Sequence, residues 1–228
     1  MAKGEPKRPA EPRPGVIFDI DGTLLDNNYF HTVAWWRAFQ DAGLEVPMAA
    51  IHRGIGMGGD KMMAKLIGEQ RPELNEAHGR EFRRFRDEMR ALPGAAELLH
   101  AVRDMGLAVV IGTSAKPENV DAMIEAIGAG EVIDAVVSSG DVEQAKPAPD
   151  IFTTAVRSGN LDPARTLAVG DTGWDVEAAR RAGFGCVCLL TGGWGTAELE
   201  AAGAVAVYQT PADLLHRLEA SPLAALLA

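Results

Sequence analysis

The sequence predicts an α/β protein whose core is a doubly wound, Rossmann-like parallel sheet with an inserted all-helical cap. Short apolar runs without polar alternation, typical of strands buried on both faces, recur along the chain and alternate with helical periodicities. Polar residues follow several of these runs, at the edge where such a sheet forms its ligand crevice. One long segment has helical patterns and no strand signal. The predicted strands are Val16–Phe18, Leu107–Ile111, Ala135–Ser138, Thr166–Val169, Cys186–Leu190 and Ala204–Val207.

The first predicted strand ends in two carboxylates. Asp19 and Asp21 follow the apolar run, and Gly22 then stops the strand. Because side chains alternate along a strand, residues two apart leave the sheet on the same side. Two converging carboxylates repel each other unless a proton or a cation lies between them, so the pair is a candidate site for a hard divalent ion such as Mg²⁺. The alternative is a solvated turn, in which Asp and Gly are common.

The second predicted strand ends in hydroxyl groups. Thr113 and Ser114 follow Leu107–Ile111, and Pro117 then opens a helix with apolar residues at helical spacing. Free backbone N–H groups at a helix N-terminus favour an anion there. Taken alone, Thr113 is more typical of an ordinary helix cap, since Thr and Ser are common in that role.

Charged residues stand at two further places of this kind. Lys146 precedes a helix opened by proline, and its ammonium group could compensate a phosphoryl group. Asp171 directly follows the strand Thr166–Val169 and the glycine after it. Asp175 either lies beside a metal site or caps the helix Val176–Ala182, and the sequence leaves both open.

These four segments, in this order, resemble the motifs of the haloacid dehalogenase superfamily of phosphatases and phosphomutases. The matching residues are Asp19-Ile20-Asp21-Gly22-Thr23-Leu24, then Thr113, then Lys146-Pro147-Ala148-Pro149-Asp150, and finally Gly170-Asp171 with Asp175. The position of the helical insert, directly after the first motif, resembles the subgroup that includes phosphoglycolate phosphatase and β-phosphoglucomutase.

The resemblance implies a role for each motif. Asp19 would be the nucleophile that forms an aspartyl phosphate, and Asp21 the general acid and base. Thr113 and Lys146 would hold the phosphoryl oxygens. Mg²⁺ would be bound by Asp19, the backbone carbonyl of Asp21 and Asp171, with Asp175 outside this shell or reaching the ion through water. The residues expected to contact substrate are Gly22, Thr23, Ser114 and Arg53.

We call residues 27–90 the cap; residues 15–26 and 91–228 form the predicted catalytic core. Within the cap, Gly54–Gly59 fits the pattern Gly-x-Gly-x-x-Gly, but helical sequence on both sides argues against a dinucleotide site. We expect a glycine-rich loop whose backbone approaches the substrate; Arg53 is either available to an anionic leaving group or an ordinary surface arginine. At helical spacing, His31 and the pair Trp35–Trp36 are interpreted as cap core or cap edge. Hinges are expected near 26–27 and 91–94.

Composition restricts the function further. The chain has 228 residues, 47% of them hydrophobic, and a formal net charge of −10. The negative charge argues against nucleic acid as a partner, and no stretch is long and apolar enough to span a membrane. Residues 1–14, rich in proline, are expected to be a disordered tail and not a secretory signal. Cys186 and Cys188 are interpreted as buried apolar residues in a reducing cytoplasm.

The predicted function is a magnesium-dependent phosphatase acting on a small phosphorylated metabolite, as a monomer or homodimer. Dehalogenases that resemble this fold lack a carboxylate at the place of Asp21, which argues against dehalogenation. A sugar phosphomutase is the enzymatic alternative, although Lys116 is followed here by Pro117 and not by the asparagine of β-phosphoglucomutases. A non-catalytic sensor of a phosphorylated ligand is a third possibility, which nothing in the sequence requires.

Overall fold

A computed structural model describes residues 11–228, and its centre is one six-stranded sheet. The strands are β1 (Arg13–Phe18), β2 (Ala108–Gly112), β3 (Ala135–Val137), β4 (Leu161–Gly170), β5 (Gly185–Leu189) and β6 (Ala206–Tyr208). All neighbouring strands are parallel, in the order β3-β2-β1-β4-β5-β6. The predicted fold class and all six predicted strands are confirmed.

Ten α-helices surround this sheet or lie in the cap, within the part of the chain that the structure describes. They are α1 (Asn28–Asp41), α2 (Met48–His52), α3 (Gly59–Ile67), α4 (Pro72–Phe82), α5 (Ala95–Asp104), α6 (Pro117–Ile127), α7 (Asp150–Ser158), α8 (Gly173–Ala182), α9 (Thr196–Ala202) and α10 (Pro211–His216). None of these helices is long and apolar enough to cross a lipid bilayer.

Strand β1 lies in the middle of the sheet because its side chains are apolar on both faces. Val16 and Phe18 pack into the core on one side, and Ile17 packs into the core on the other. All three are fully buried. The strand begins at Arg13, so the tail predicted for residues 1–14 overlaps it by two residues; residues 1–10 lie outside the described part.

The order of the strands reverses between β1 and β4, which creates a crevice at their carboxyl ends. Phe18 is in register with Val169, and the backbone N–H of Asp19 donates to the Val169 carbonyl at 2.9 Å. The end of β1 is therefore fixed beside the end of β4. Strand β4 begins earlier than predicted because the exposed residues 163–165, including a proline, hide the strand pattern at its start.

The cap packs around its own apolar core. Trp35, Phe39, Ile51, Met62 and Leu74 are buried together in this cluster. The arginine-rich part of the cap is helical from Pro72, whose fixed φ suits a first helical turn, and continues as a 3₁₀ helix over Arg83–Glu88. This cluster is distinct from the two cores beside the sheet, and Ala34 and Phe82 of the cap belong to one of those cores.

Candidate active site

Asp19 lies at the crevice and is paired with a buried lysine. Its Oδ1 is 2.8 Å from the Nζ of Lys146, whose side chain is fully buried. The same Nζ is 2.8 Å from Oδ1 of Asp175. Burial alone would lower the pKa of Lys146, but these two carboxylates outweigh it and raise that pKa. Lys146 therefore stays charged between two acids.

Asp171, at the end of β4, is held by two donors from the segment that follows β1. Thr23 donates to its Oδ1 at 3.0 Å, and Asn28 donates to its Oδ2 at 2.9 Å. Carboxylate oxygens of Asp19, Asp171 and Asp175 all lie within 4.8 Å of one another. The fold thus brings together three carboxylates, of which Asp19 and Asp175 are 156 positions apart in the sequence.

The ionised form of buried carboxylates this close together is unfavourable, because they repel one another. Burial raises the pKa of Asp19 to about 7, and Asp175 and Asp21 add to that rise while Lys146 opposes it. Burial, followed by Asp175 and Asp19, raises the pKa of Asp171 well above its usual value. One lysine does not balance three acids, and the oxygen-only donor set is the one that hard divalent cations prefer. The residues present therefore fit a divalent metal ion.

Glycines make room for Asp171. Gly22 has a φ of +73°, and a Cβ there would collide with Oδ2 of Asp171 and with the Asn28 amide. A Cβ on Gly192 would strike the same Oδ2. The two glycines close around the carboxylate from opposite ends of the chain, and only a residue without a side chain fits at either place.

Asp175 is not the helix N-cap, which was one of the two readings of the sequence. Thr172 caps α8, and Asp175 is the third helical residue of a capping box, with its Oδ2 accepting from the Thr172 backbone N–H at 3.1 Å. Its other oxygen contacts Lys146. The capping box fixes Asp175, and Asp175 in turn fixes the lysine.

Asp21 is partly buried on the other side of the crevice and is held by two side chains. Its Oδ1 accepts from the Asn27 amide and lies 3.2 Å from Nε2 of His31. Burial would raise the pKa of Asp21, but His31, together with hydrogen bonds from His31 and Asn27, lowers it. The Nδ1 atom of His31 lies 3.1 Å from Nε2 of His78, in the cap.

His31 and Trp35 lie at the edge of the cap that faces the site, which is one of the two expected positions. His31 contacts Asp21, and Trp35 stacks on His78 with ring centroids 4.4 Å apart. The spacing of His31 and Trp35, one turn apart on a helix that starts just after the first motif, is the sequence signal that could have placed them at the site. Asn28 carries no comparable signal.

The second motif lies at the base of the site. Thr113 is fully buried, and its Oγ1 accepts from the backbone N–H of Ala115 at 3.0 Å. Ser114 points toward the cap, where its hydroxyl donates to the Gly56 carbonyl at 3.4 Å. Thr113 is not the helix cap that the sequence allowed, because the N-cap of α6 is Lys116; its hydroxyl instead accepts within the turn that follows β2.

A cavity of about 100 Å³ lies between the cap and the crevice. Its core wall includes Asp19, Asp21, Ser114 and Lys116, and its cap wall includes His31, Trp35, His78 and the glycine-rich residues 56, 58 and 59. Helices α2 and α3 flank this loop, so it lacks the strand that a dinucleotide site requires. Its backbone faces the same space as the proposed nucleophile.

Arg53 does not line this cavity. Its guanidinium lies 2.6 Å from Glu198 and stacks over the ring of Trp194 at 3.8 Å. The expected contact between Arg53 and a substrate is therefore not supported, because the side chain contacts Glu198 and Trp194 and is not among the residues that line the cavity. Asp19, Lys146, Asp171 and Asp175 come together, and Arg53 does not join them.

Comparison with known proteins shows the family of the chain. A family model described as haloacid dehalogenase-like hydrolase matches residues 14–183. Validoxylamine A 7'-phosphate phosphatase from Streptomyces hygroscopicus subsp. limoneus is 28% identical over 182 residues, covering 77% of this chain and 85% of that protein. A hydrolase from Pseudomonas syringae shares the fold with a TM-score of 0.85 and 35% identity, covering 91% of this chain and 99% of that one. CbbY from Rhodobacter sphaeroides, in complex with phosphate, has a TM-score of 0.74 and 26% identity, covering 89% and 96%.

Proposed function

The chain belongs to the haloacid dehalogenase-like hydrolase family, and on that premise we propose that it is a magnesium-dependent phosphatase that hydrolyses a small phosphomonoester through an aspartyl phosphate. The observation that carries the proposal is the position of Asp19, a buried carboxylate that faces the cavity and is paired with Lys146. The phosphatase name of a curated relative supports the same reaction class.

Asp19 supplies the nucleophilic oxygen. That oxygen forms a bond to phosphorus while the bond from phosphorus to the substrate alcohol breaks. Lys146 and Thr113 hold the phosphoryl oxygens beside it, so that the chain contributes mainly positioning and charge. Lys146 suits this role because its ammonium group is already fixed within 2.8 Å of the attacking carboxylate.

Asp21 handles the protons. It gives a proton to the departing alkoxide and, in the second step, takes one from the water that attacks the aspartyl phosphate. His31 and Asn27 hold its carboxylate at the wall of the cavity. Asp21 must enter the first step protonated and leaves it ionised, which is the form that its lowered pKa favours and that removes a proton from water in the second step.

Asp19, Asp171 and the backbone carbonyl of Asp21 would hold Mg²⁺, with Asp175 outside that shell. When bound, the ion supplies positive charge that reduces the repulsion between the carboxylate nucleophile and the phosphoryl group. Thr23 and Asn28 orient Asp171 for this task. Gly22 and Gly192 leave the space in which Asp171 can sit.

The cap, residues 27–90, closes over the core formed by 15–26 and 91–228, and so limits substrate size. Lys61 in the cap donates to the carbonyl of Ala145, next to Lys146, at 2.6 Å, and Lys116 in the core donates to the Asn75 carbonyl at 3.3 Å. A cavity of about 100 Å³ admits a phosphoryl group and a few further atoms. A small phosphorylated metabolite fits this space, and the net charge of −10 disfavours nucleic acid. The two buried free thiols suit a reducing compartment such as the cytoplasm.

The test is turnover by the purified protein. With Mg²⁺, p-nitrophenyl phosphate should release phosphate, and a panel of small phosphomonoesters should identify the preferred leaving group. Glucose 1-phosphate with trace bisphosphate provides the mutase arm, in which glucose 6-phosphate would appear without free phosphate. Phosphate release supports the proposal; isomerisation alone, or no reaction with any panel member, contradicts it.

A further inference from the structure

We propose that Arg53 is a positioning residue: it latches the closed cap onto the loop at residues 190–195 and thereby helps to hold the carboxylates of the active site in place. The inference rests on the proposed phosphatase function, since it assigns a task to cap closure. It gives Arg53 a role other than the substrate contact expected from the sequence.

The side-chain contacts of Arg53 cross from the cap to the core, and so does one contact of its backbone. Its two terminal nitrogens face the two carboxylate oxygens of Glu198, at 2.6 and 3.5 Å. The guanidinium lies over the Trp194 ring at 3.8 Å from the centroid. The Trp174 indole N–H donates to the Arg53 carbonyl at 3.3 Å. One residue of the cap is thus held by its side chain and by its backbone.

The two tryptophans form a platform for these contacts. Trp174 and Trp194 meet edge to face, with ring centroids 5.7 Å apart. Lys65 of α3 lies over the Trp174 ring at 4.6 Å, and His52 packs against Gly193. Cations bind favourably to the faces of tryptophan rings. The cap thus places two cationic side chains, Arg53 and Lys65, against one aromatic surface of the core.

The same core segments build the active site. Gly192 packs directly against Oδ2 of Asp171, and Thr191 donates to the carbonyl of Gly22. Trp174 lies in the first turn of α8, next to Asp175. Arg53 therefore contacts the loop that confines Asp171 and the helical turn that carries Asp175.

The ion pair between Arg53 and Glu198 would not by itself hold the cap closed. The Arg53 and Glu198 side chains are 38% and 51% exposed, and such a pair alone contributes little. Here the pair is combined with ring stacking and a backbone hydrogen bond, and its partners are 145 positions apart in the chain. Opening the cap must break all three contacts, and closing it re-forms them on the loop beside Asp171.

The test compares three variants with the wild-type protein. Arg53→Ala removes the latch, and Arg53→Lys keeps the charge without the planar group that stacks on tryptophan. Arg71→Ala is the matched control, because Arg71 forms an ion pair at 2.8 Å with Glu73 inside the cap and does not reach the core. The readouts are steady-state kinetics with p-nitrophenyl phosphate and Mg²⁺, amide hydrogen exchange of the full chain, and thermal unfolding.

For Arg53→Ala we expect kcat/KM to fall about tenfold, chiefly through KM, with partial recovery in Arg53→Lys. Amide exchange at residues 190–195 should be faster in Arg53→Ala than in the wild type, while thermal unfolding and the Arg71→Ala control stay unchanged. Equal KM and equal exchange in Arg53→Ala and Arg71→Ala would overturn the latch. If the wild type hydrolyses no phosphomonoester, the proposed function fails, and the exchange comparison still decides whether the latch exists.

Discussion

Lys146 and Asp19 form a buried ion pair, with Nζ 2.8 Å from Oδ1 and side chains that are 0% and 3% exposed. The lysine comes from the loop that precedes α7, and the aspartate from the end of β1. Their contact places a fixed positive charge beside the proposed nucleophile. The positive charge of Lys146 depends in turn on the carboxylates around it, because they raise its pKa.

Replacing Lys146 with methionine should abolish this balance. Asp19 then loses the partner that lowers its pKa, and the carboxylate becomes protonated near neutral pH. We expect turnover of p-nitrophenyl phosphate to fall by at least about 100-fold. Breaking a buried pair costs about 3–5 kcal/mol, so urea unfolding should shift as well. Wild-type turnover in Lys146→Met would exclude the lysine from the phosphoryl site.

Alanine substitutions at two glycines distinguish the effect of backbone strain from the effect of disturbing the active site. Gly22 and Gly43 have nearly the same φ, +73° and +72°, but a Cβ on Gly43 meets nothing within 4 Å. Alanine at either place should cost about 1 kcal/mol of stability through the left-handed backbone. Only Gly22→Ala should also lose activity, because its methyl group displaces Asp171. Comparable activity in the two variants would show that the space beside Asp171 is not required.

Metal stabilisation should depend on pH. The raised pKa values of Asp19 and Asp171 mean that the folded protein holds protons that the unfolded chain releases near pH 4. Without metal, the contribution of these groups to stability is therefore present below about pH 4 and is lost as pH rises toward 7. Mg²⁺ binds the ionised acids, so it should raise Tm more at pH 8 than at pH 5.

The control for that experiment is Asp171→Asn in sodium chloride of matched ionic strength and in Mg²⁺. This variant removes one crowded carboxylate, so its Tm should depend less on pH, and Mg²⁺ should stabilise it less than the wild type. A Tm increase that is equal at both pH values, or equal in Asp171→Asn, would argue against a carboxylate metal site.

His31 should set the pH range of Asp21. His31 lowers the pKa of Asp21, so His31→Ala should raise it. The acidic limb of the pH–rate profile should then move to higher pH, because the second step needs ionised Asp21. Hydrolysis of p-nitrophenyl phosphate across pH 4 to 9 measures this. An acidic limb that stays at the wild-type pH would mean that His31 does not control Asp21.

The sequence was sufficient for the parts of the site that lie at strand ends. Asp19, Thr113 and Asp171 follow apolar runs, and the rule that parallel strands end at one edge predicts their convergence. The cap contacts could not be predicted in this way. Arg53 was expected at the substrate and lies against Trp194, because the partner of a long side chain depends on how two packed units meet and not on spacing along the chain.

The position of His31 could be predicted only in part from the sequence. Its helical spacing with Trp35 indicated a cap face, but the same face also meets Asp21 because α1 begins directly after the first motif. Asn28 is similar: only the folded chain brings it to Asp171. Local sequence patterns thus predict the helices, the strands and the residues at strand ends. The residues that orient the catalytic groups are determined by tertiary contacts, which these patterns do not reveal.

The central claim is that Asp19 carries the phosphoryl group and Asp21 moves the protons. Acid-quenched mass spectrometry of Asp19→Asn and Asp21→Asn, each incubated with Mg²⁺ and p-nitrophenyl phosphate, tests it most directly. That substrate has a good leaving group, so its attack needs little proton transfer, whereas hydrolysis of the phosphoenzyme still needs Asp21. We expect Asp21→Asn to accumulate one added phosphate and Asp19→Asn to show none. Equal labelling of the two variants, or full activity of Asp19→Asn, would contradict the assignment.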